Sequence, residues 1–222
     1  MSKRSYSDAC GIARALDAVG DRWALMIVRE LLLGPKRFGD IRAGLPKLSA
    51  DVLSQRLRDL EDVGVVRRSQ LPPPAAVNVY ELTPAGKELE PVLVALGRWG
   101  GANAAPPSEG CRMSFDSHLV SLRTLFSSER AGDLEATYEL RLQGGLFRVV
   151  VAGGAAEIEP GGADDADVAI TGTAEDLFAV VRGLRTLAEA ETAGELVVEG
   201  DRAKAKRFFE LFPLPEPASA PV

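Results

Sequence analysis

The sequence is poor in the residues that build covalent cross-links and metal sites. Its 222 residues include only two cysteines, Cys10 and Cys111, and one histidine, His118. Two cysteines so far apart do not make a disulfide framework, and one histidine does not supply the usual Cys/His zinc ligands. His118 also lacks a partner pattern for a Ser or Cys nucleophile, which favours an ordinary helix position. We therefore expect neither an enzyme nor a bound cofactor.

Long hydrophobic runs are absent as well. No stretch reaches the roughly 18 consecutive apolar residues that suggest a membrane helix. The first four residues, Met1-Ser2-Lys3-Arg4, lead into a polar segment and not into the apolar core of a signal peptide. The sequence thus predicts a cytoplasmic protein with no membrane partner.

Negative charge is distributed unevenly along the chain. The formal net charge is −6, yet residues 1–104 contain 15 Lys and Arg against 12 Asp and Glu, whereas residues 105–222 contain 11 against 20. A mildly basic first half fits contact with DNA phosphates. The acidic second half would be repelled by a duplex, so we expect it to lie away from the DNA.

An amphipathic helix is predicted between Ser49, a candidate N-cap, and Gly64, a stop signal. Its apolar positions follow the helical period: Val52, Leu53, Leu57, Leu60 and Val63. The opposite face carries small and polar residues: Ala50, Asp51, Ser54, Gln55 and Arg58. Such a face suits a recognition helix, because its first turns must approach base edges in the major groove. Taken alone, the segment fits an ordinary amphipathic surface helix equally well.

The flanking segments favour a winged helix-turn-helix. Upstream, Arg22–Leu33 is a strongly apolar helix that Gly34-Pro35 ends, and a short helix with a basic start follows from Lys36. Downstream, two β-prone runs separated by a proline-rich tip predict a hairpin at residues 64–82, which is the form of a wing. Thr83-Pro84 then begins a long helix that we expect to reach about Asn103.

With these elements in place, the first hundred or so residues resemble the HxlR-type branch of the MarR-like bacterial transcription regulators. The matching positions are Cys10, Ala15 to Trp23, Arg37-Phe38, Leu53 to Arg58, Val79 to Thr83, and Trp99. The resemblance implies a homodimer on a pseudo-palindromic DNA operator, with the first and last helices of each winged domain forming most of the dimer contact. Family members usually carry a basic residue near the wing tip, where this chain has Ala75 and Ala76.

The residues expected to contact double-stranded DNA follow from the predicted helices and this resemblance. They are Lys36, Arg37, Ser49, Ser54, Gln55, Arg56, Arg58, Arg67 and Arg68. Arg67 and Arg68 are the basic candidates on the wing. The resemblance also implies a redox role for Cys10, because some family members switch on oxidation of a cysteine at the matching place. The alternative is that Cys10 is merely a small residue at a helix start.

The second half is predicted to be β-rich first and helical afterwards. Alternating and β-branched runs predict strands at residues 135–142, 146–151, 155–159, 167–172 and 194–201, and helices follow Thr173 and Arg202. From about Ser114 to Phe212 this order resembles the sterol-carrier-protein type of lipid-binding domain. The resemblance implies a curved sheet covered by helices, with an apolar cavity between them. The candidate cavity residues are Phe147, Val149, Phe178, Val181, Phe208, Phe209 and Phe212, and the alternative is that these side chains simply fill the core.

The sequence therefore predicts an α+β protein: an N-terminal winged helix-turn-helix domain, and a sterol-carrier-like domain with a mostly antiparallel sheet covered by helices. The expected boundaries are residues 1–104 for DNA binding and dimerisation, 105–113 for a linker, 114–212 for ligand binding and 213–222 for a disordered tail. The predicted function is a dimeric transcription regulator modulated by a small hydrophobic effector. Two alternatives remain: a lipid or small-molecule carrier that dimerises through its winged domain, and a regulator switched by oxidation of Cys10.

Overall fold

The computed structural model describes residues 5–105, 111 and 113–215. The chain divides into two compact units, Met1–Leu93 and Val94–Val222, called here the N-terminal and C-terminal units. The division falls inside the predicted last helix of the winged domain, so the boundary at residue 104 stays a prediction. Most of the predicted linker at 105–113, and all of the predicted tail beyond residue 215, lie outside the described residues.

The N-terminal unit has the element order of a winged helix-turn-helix. Its helices are α1 (Gly11–Val19), α2 (Ala24–Leu31), α3 (Phe38–Gly44), α4 (Ala50–Asp62) and α5 (Pro84–Lys87), and α6 (Glu90–Asn103) begins in it. Strands β1 (Val66–Gln70) and β2 (Asn78–Leu82) pair antiparallel, with Val66 opposite Leu82 and Gln70 opposite Asn78. The predicted hairpin and the order of the helices are confirmed.

Helix α4 begins where its cap predicts. The Ser49 hydroxyl oxygen accepts a hydrogen bond from the Val52 amide at 3.4 Å, which satisfies one of the free donors of the first turn. Leu53, Leu57 and Leu60 point into the core of the unit. The prediction that Val52 and Val63 belong to the same buried stripe was wrong, since they are 39% and 36% exposed. Three leucines already fill the core-facing side, and these valines lie outside that arc.

The predicted long helix after Thr83 is broken in two. The Thr83 hydroxyl accepts from the Gly86 amide at 3.1 Å and caps the short α5. Pro91 follows at the second position of α6. Proline has no amide proton and clashes with a preceding helical turn, so a helix can start beside it but cannot pass through it. The break therefore has a local cause that is visible in the sequence.

The C-terminal unit contains a five-stranded sheet and a set of helices. The strands are β3 (Ala136–Leu142), β4 (Gly145–Ala152), β5 (Ala155–Pro160), β6 (Val168–Gly172) and β7 (Leu196–Gly200). The helices are the remainder of α6, then α7 (Phe115–Leu125), α8 (Ser128–Ala131), α9 (Ala174–Val181), α10 (Leu187–Thr192) and α11 (Arg202–Glu210). The predicted strands and the helices after Thr173 and Arg202 are confirmed, while α8 and α10 were not predicted.

The sheet has the order β5-β4-β3-β6-β7. The pair β3–β6 at its centre is parallel and the other pairs are antiparallel, which confirms a mostly antiparallel sheet. The register places Tyr138 between Val149 and Val168, so these side chains share one apolar face. Helix α11 packs on this face, since the Phe208 ring contacts Tyr138, and α9 in turn contacts α11 and α7. The next residue, Glu139, belongs to the opposite face. Strand β3 thus alternates between an apolar and a more polar side.

Within the described part of the chain, no helix combines the length and the apolar composition needed to cross a bilayer.

Candidate nucleic-acid interface

The exposed side of α4 carries a chain of polar contacts. Arg58 Nη2 donates to Gln55 Oε1 at 2.9 Å, and Gln55 Nε2 donates to Asp59 Oδ1 at 2.9 Å. Arg58 and Gln55 are both exposed, whereas Ser54 is half-buried. The two exposed side chains together offer hydrogen-bond donors and acceptors that match the edges of bases in a major groove.

Arg56 is linked to these polar contacts through Asp59. Its Nη1 atom lies 2.5 Å from both Asp59 Oδ2 and Asp21 Oδ2, and its side chain is only 23% exposed. Asp21 lies in the turn between α1 and α2, so the contact ties α4 to that turn. Arg56 was predicted to contact DNA. In the structure its charge is balanced by two carboxylates of its own chain.

Lys36, just before α3, is likewise paired with a carboxylate of its own chain. Its Nζ lies 3.1 Å from Glu30 Oε2, and Arg29 Nη2 lies 2.5 Å from Glu30 Oε1. Glu30 is fully buried in α2, while the Lys36 side chain is 16% exposed. A buried carboxylate needs nearby positive charge to offset its lost hydration. The ammonium group that was predicted to meet a phosphate therefore stabilises a buried charge.

The two wing arginines are ion-paired but exposed. Arg67 Nε lies 2.9 Å from Glu81 Oε1 across the hairpin, and Arg68 Nε lies 3.0 Å from Glu61 Oε1. The Arg68 guanidinium also lies 5.3 Å from the centre of the Tyr80 ring. Surface ion pairs of this kind contribute little, about 0–1 kcal/mol each. Both arginines can therefore exchange a carboxylate for a phosphate at small cost.

Three exposed cations border the helix-turn-helix and are in no ion pair within the described residues: Arg37, Arg42 and Lys47. Arg37 precedes α3, and its amide donates to the Asp40 carboxylate at 3.3 Å. Arg42 lies in the last turn of α3, and Lys47 lies in the turn before α4. Sequence reasoning selected Arg37 and missed the other two. Their place on either side of the predicted turn was the signal that could have found them.

Cys10 is a free and exposed thiol directly before α1. Its amide donates to the Asp8 carboxylate at 2.8 Å, so an acidic group lies near the backbone of this residue. Within residues 5–105, 111 and 113–215, no three His, Cys, Asp or Glu side chains are grouped so that they could hold a metal ion.

The candidate cavity residues of the C-terminal unit are packed in separate groups. The Phe208 ring contacts Tyr138, Phe209 and Phe212 at centroid distances of 4.9, 5.3 and 5.1 Å. Phe147 contacts Phe115 at 5.6 Å. Val149 and Val181 are buried, and Phe209 is half-buried. These contacts fit the alternative in which the side chains fill the core, and the cavity stays a prediction.

His118 contacts Phe178, the last of the candidate cavity residues. Its ring meets Phe178 edge-on at 5.2 Å, and its Nδ1 donates to the Ser114 carbonyl oxygen at 2.9 Å. Burial lowers the pKa of His118, and the hydrogen bond to Ser114 only partly opposes this effect. His118 is therefore a neutral packing residue of α7, as its lack of catalytic partners predicted.

Two protein families match separate parts of the chain. Residues 18–108 match the HxlR-like helix-turn-helix family, and residues 113–218 match the alkyl sulfatase C-terminal family. The second match indicates the domain type only loosely, so the sterol-carrier resemblance stays a prediction.

Two bacterial relatives each match less than half of the chain. The uncharacterized HTH-type transcriptional regulator YvaP of Bacillus subtilis is 44% identical over 86 residues, which is 39% of this chain and 80% of that protein. A second regulator, sll1512 of Synechocystis, is 35% identical over 91 residues, or 41% of this chain and 67% of its own length. Among solved structures, the oxidized redox regulator HypR is 30% identical, with a TM-score of 0.40 over 44% of this chain and 100% of its own.

Proposed function

We propose that this chain, which belongs to the HxlR-like helix-turn-helix family, is a transcription regulator that binds a pseudo-palindromic DNA operator as a homodimer. The single observation that carries the proposal is the polar, exposed start of α4, bordered by three cations that have no carboxylate partner among the described residues. A helix of this kind places hydrogen-bonding side chains at base edges while the surrounding cations meet phosphates.

The ion pairs suggest how the predicted DNA-binding residues divide. Gln55 and Arg58 are assigned to base edges, and the phosphate contacts are assigned to Arg37, Arg42 and Lys47. Arg67 and Arg68 supply weaker phosphate contacts from the wing, since their surface pairs exchange easily. Ser49 and Ser54 border the bases at the start of α4. Lys36 and Arg56, which are mostly buried against carboxylates, hold the helices in position.

The proposed dimer uses apolar side chains that a single chain leaves exposed. Helix α1 exposes Ile12 and Leu16, one helical turn apart. Helix α6 exposes Val92, Leu96 and Trp99 at the spacing of one helical face, and Trp99 is 62% exposed. Large exposed apolar side chains at regular helical spacing are typical of a surface that another protein covers. The first and last helices of the winged domain are where a second copy is expected.

The C-terminal unit is assigned to effector binding and not to catalysis. A small apolar ligand that prefers one arrangement of the paired winged domains would shift the dimer towards or away from the spacing that the two half-sites require. The buried aromatic groups around Phe147, Phe178 and Phe208 are the part of the unit suited to such a ligand.

DNA binding is tested with duplexes selected from a random library by the purified protein. The logarithm of the binding constant should fall steeply with the logarithm of the salt concentration. Replacing Arg37, Arg42 or Lys47 by Ala should each reduce this slope by about 1.8, because the homodimer loses one phosphate contact of about 0.9 from each subunit. Lys206→Ala, which removes an exposed cation of the acidic C-terminal unit, is the matched control and should leave the slope unchanged. The absence of salt-dependent duplex binding would instead favour the carrier function.

Dimerisation is tested by light scattering and native mass spectrometry. Leu96→Glu should give a monomer, because it places a charge in the middle of the proposed contact. Val197→Glu, at an exposed valine of strand β7, is the matched control and should remain dimeric. A Leu96→Glu protein that stays dimeric would place the contact elsewhere. The same mass spectra reveal any retained hydrophobic small molecule.

A redox switch through Cys10 is the second candidate mechanism, and the exposure of its thiol favours it. The test compares operator binding by the parent and by Cys10→Ser before and after mild oxidation. A switch through this thiol requires that oxidation changes binding by the parent and leaves binding by the variant unchanged.

A further inference from the structure

Val52 is an apolar residue in an otherwise polar part of α4. It lies in the first turn, about 100° around the helix from Leu53 and so outside the arc of the core-facing leucines, and 39% of its surface is exposed. The other exposed residues in the first three turns are Asp51, Gln55 and Arg58. At about 100° per residue, Val52 lies about 60° around the helix from Gln55 and one turn before it. The two side chains therefore belong to the same outward side.

Helix stability does not explain a valine at this position. Branching at Cβ restricts the side chain in a helix, so an exposed valine is a poorer helix former than alanine, lysine or glutamate. Its burial is also incomplete, so it adds little to the core that Leu53, Leu57 and Leu60 form. Val52 is better suited to an apolar contact outside the chain.

The major groove of DNA offers one prominent apolar group, the C5-methyl of thymine. The N-terminal turns of a recognition helix are the part that approaches base edges. Gln55 and Arg58 can read donors and acceptors there, but neither recognises a methyl group by hydrogen bonding. A branched aliphatic side chain in the first turn supplies the missing apolar contact.

We propose that Val52 is a specificity-determining residue that contacts the methyl group of a thymine in each operator half-site. This inference rests on the proposed DNA-binding function and deepens it, because it assigns one base of the operator to one side chain. Replacing that thymine by deoxyuridine removes the methyl group while all hydrogen-bonding positions remain. The expected loss is about fourfold per half-site, the contribution of burying one methyl-sized group.

The experiment uses the full-length protein and the duplex selected from a random library with the parent protein. Each thymine is replaced in turn by deoxyuridine, and binding is measured for the parent and for Val52→Ala. Alanine is a good helix former, so this variant should keep its fold, which circular dichroism and the melting temperature verify. Val63→Ala is the matched control, since it removes the other exposed valine of this segment, at the far end of α4.

We expect one thymine per half-site at which the parent and Val63→Ala prefer thymine by about fourfold, while Val52→Ala binds both duplexes equally. If the parent binds a selected duplex in a salt-dependent way but discriminates at no thymine, the inference is overturned and the proposed function stands. Full discrimination by Val52→Ala would overturn the inference in the same way. If the parent selects no duplex at all, the proposed function itself fails.

Discussion

Replacing Lys36 by Ala should destabilise the N-terminal unit without changing the number of phosphate contacts. The substitution removes a cation that lies 3.1 Å from the fully buried carboxylate of Glu30. Breaking a buried ion pair by removing one partner costs about 3–5 kcal/mol. Arg29 remains next to the carboxylate and the lysine was slightly exposed, so the lower end, about 3 kcal/mol, is expected. For a unit of this size that loss lowers the melting temperature by about 12 °C or more.

Tryptophan fluorescence can report this unit alone. The chain has two tryptophans, and Trp99→Phe leaves only Trp23, which packs against the core of the N-terminal unit. Thermal and urea unfolding are then compared in this background for Lys36→Ala and for a double variant, Glu30→Gln with Lys36→Met. The double variant should recover part of the lost stability, because it removes the buried carboxylate together with the lysine, while Arg29 loses its carboxylate partner.

Arg37→Ala, at the adjacent residue, is the matched control and should affect DNA binding but not stability. It should leave the melting temperature nearly unchanged and reduce the salt slope of operator binding by about 1.8, one phosphate contact in each subunit of the dimer. Lys36→Ala should leave that slope intact at a temperature where it is folded. A Lys36→Ala protein of normal stability with a reduced slope would refute the reasoning. It would mean that Lys36 contacts a phosphate and that the buried pair contributes little.

Three further predictions concern other parts of the structure. Burial lowers the pKa of His118 below its ordinary value of about 6.5, so the folded protein loses stability as the pH falls below that value. In urea unfolding at a series of pH values, His118→Gln should flatten this dependence. An unchanged pH profile would contradict the assignment. Gly200→Ala should cost more than about 1 kcal/mol, because φ is +98° and the new Cβ would collide with a backbone carbonyl, whereas Gly153→Ala, at an open position with φ of +55°, should cost less. Arg56→Ala should weaken binding to the selected operator without changing its salt slope, because Arg56 positions Gln55 through the Asp59 carboxylate that both contact. A reduced slope would show that Arg56 contacts a phosphate directly.

Local sequence patterns predicted much of the fold. The cap at Ser49, the leucine period of α4 and the proline-rich wing tip each depend on residues close together in the chain, so they predict their elements well. The ion pairs could not be read in the same way. Arg56 meets Asp21 from 35 positions away, and this contact exists only once α4 has packed against the turn between α1 and α2.

In the C-terminal sheet, too, contacts between distant parts of the sequence could not be predicted. Alternating residues predicted each strand, but the parallel pairing of β3 with β6 depends on how the chain between them folds back. Four of the five aromatic candidates are buried, and Phe209 is half-buried. Whether they line a space or contact one another is decided by packing, and the ring contacts of Phe208 are a property of the assembled unit.

The internal pairing of basic residues affects how such a regulator would search a genome. Lys36, Arg56, Arg67 and Arg68 all have acidic partners in the same unit, so any phosphate must compete with a carboxylate already in place. Non-specific affinity comes almost entirely from phosphate contacts, and a genome offers about a million or more competing sites. A chain that neutralises part of its own positive charge stays for a shorter time on the wrong DNA, and its occupancy of the operator depends more on the bases that α4 reads.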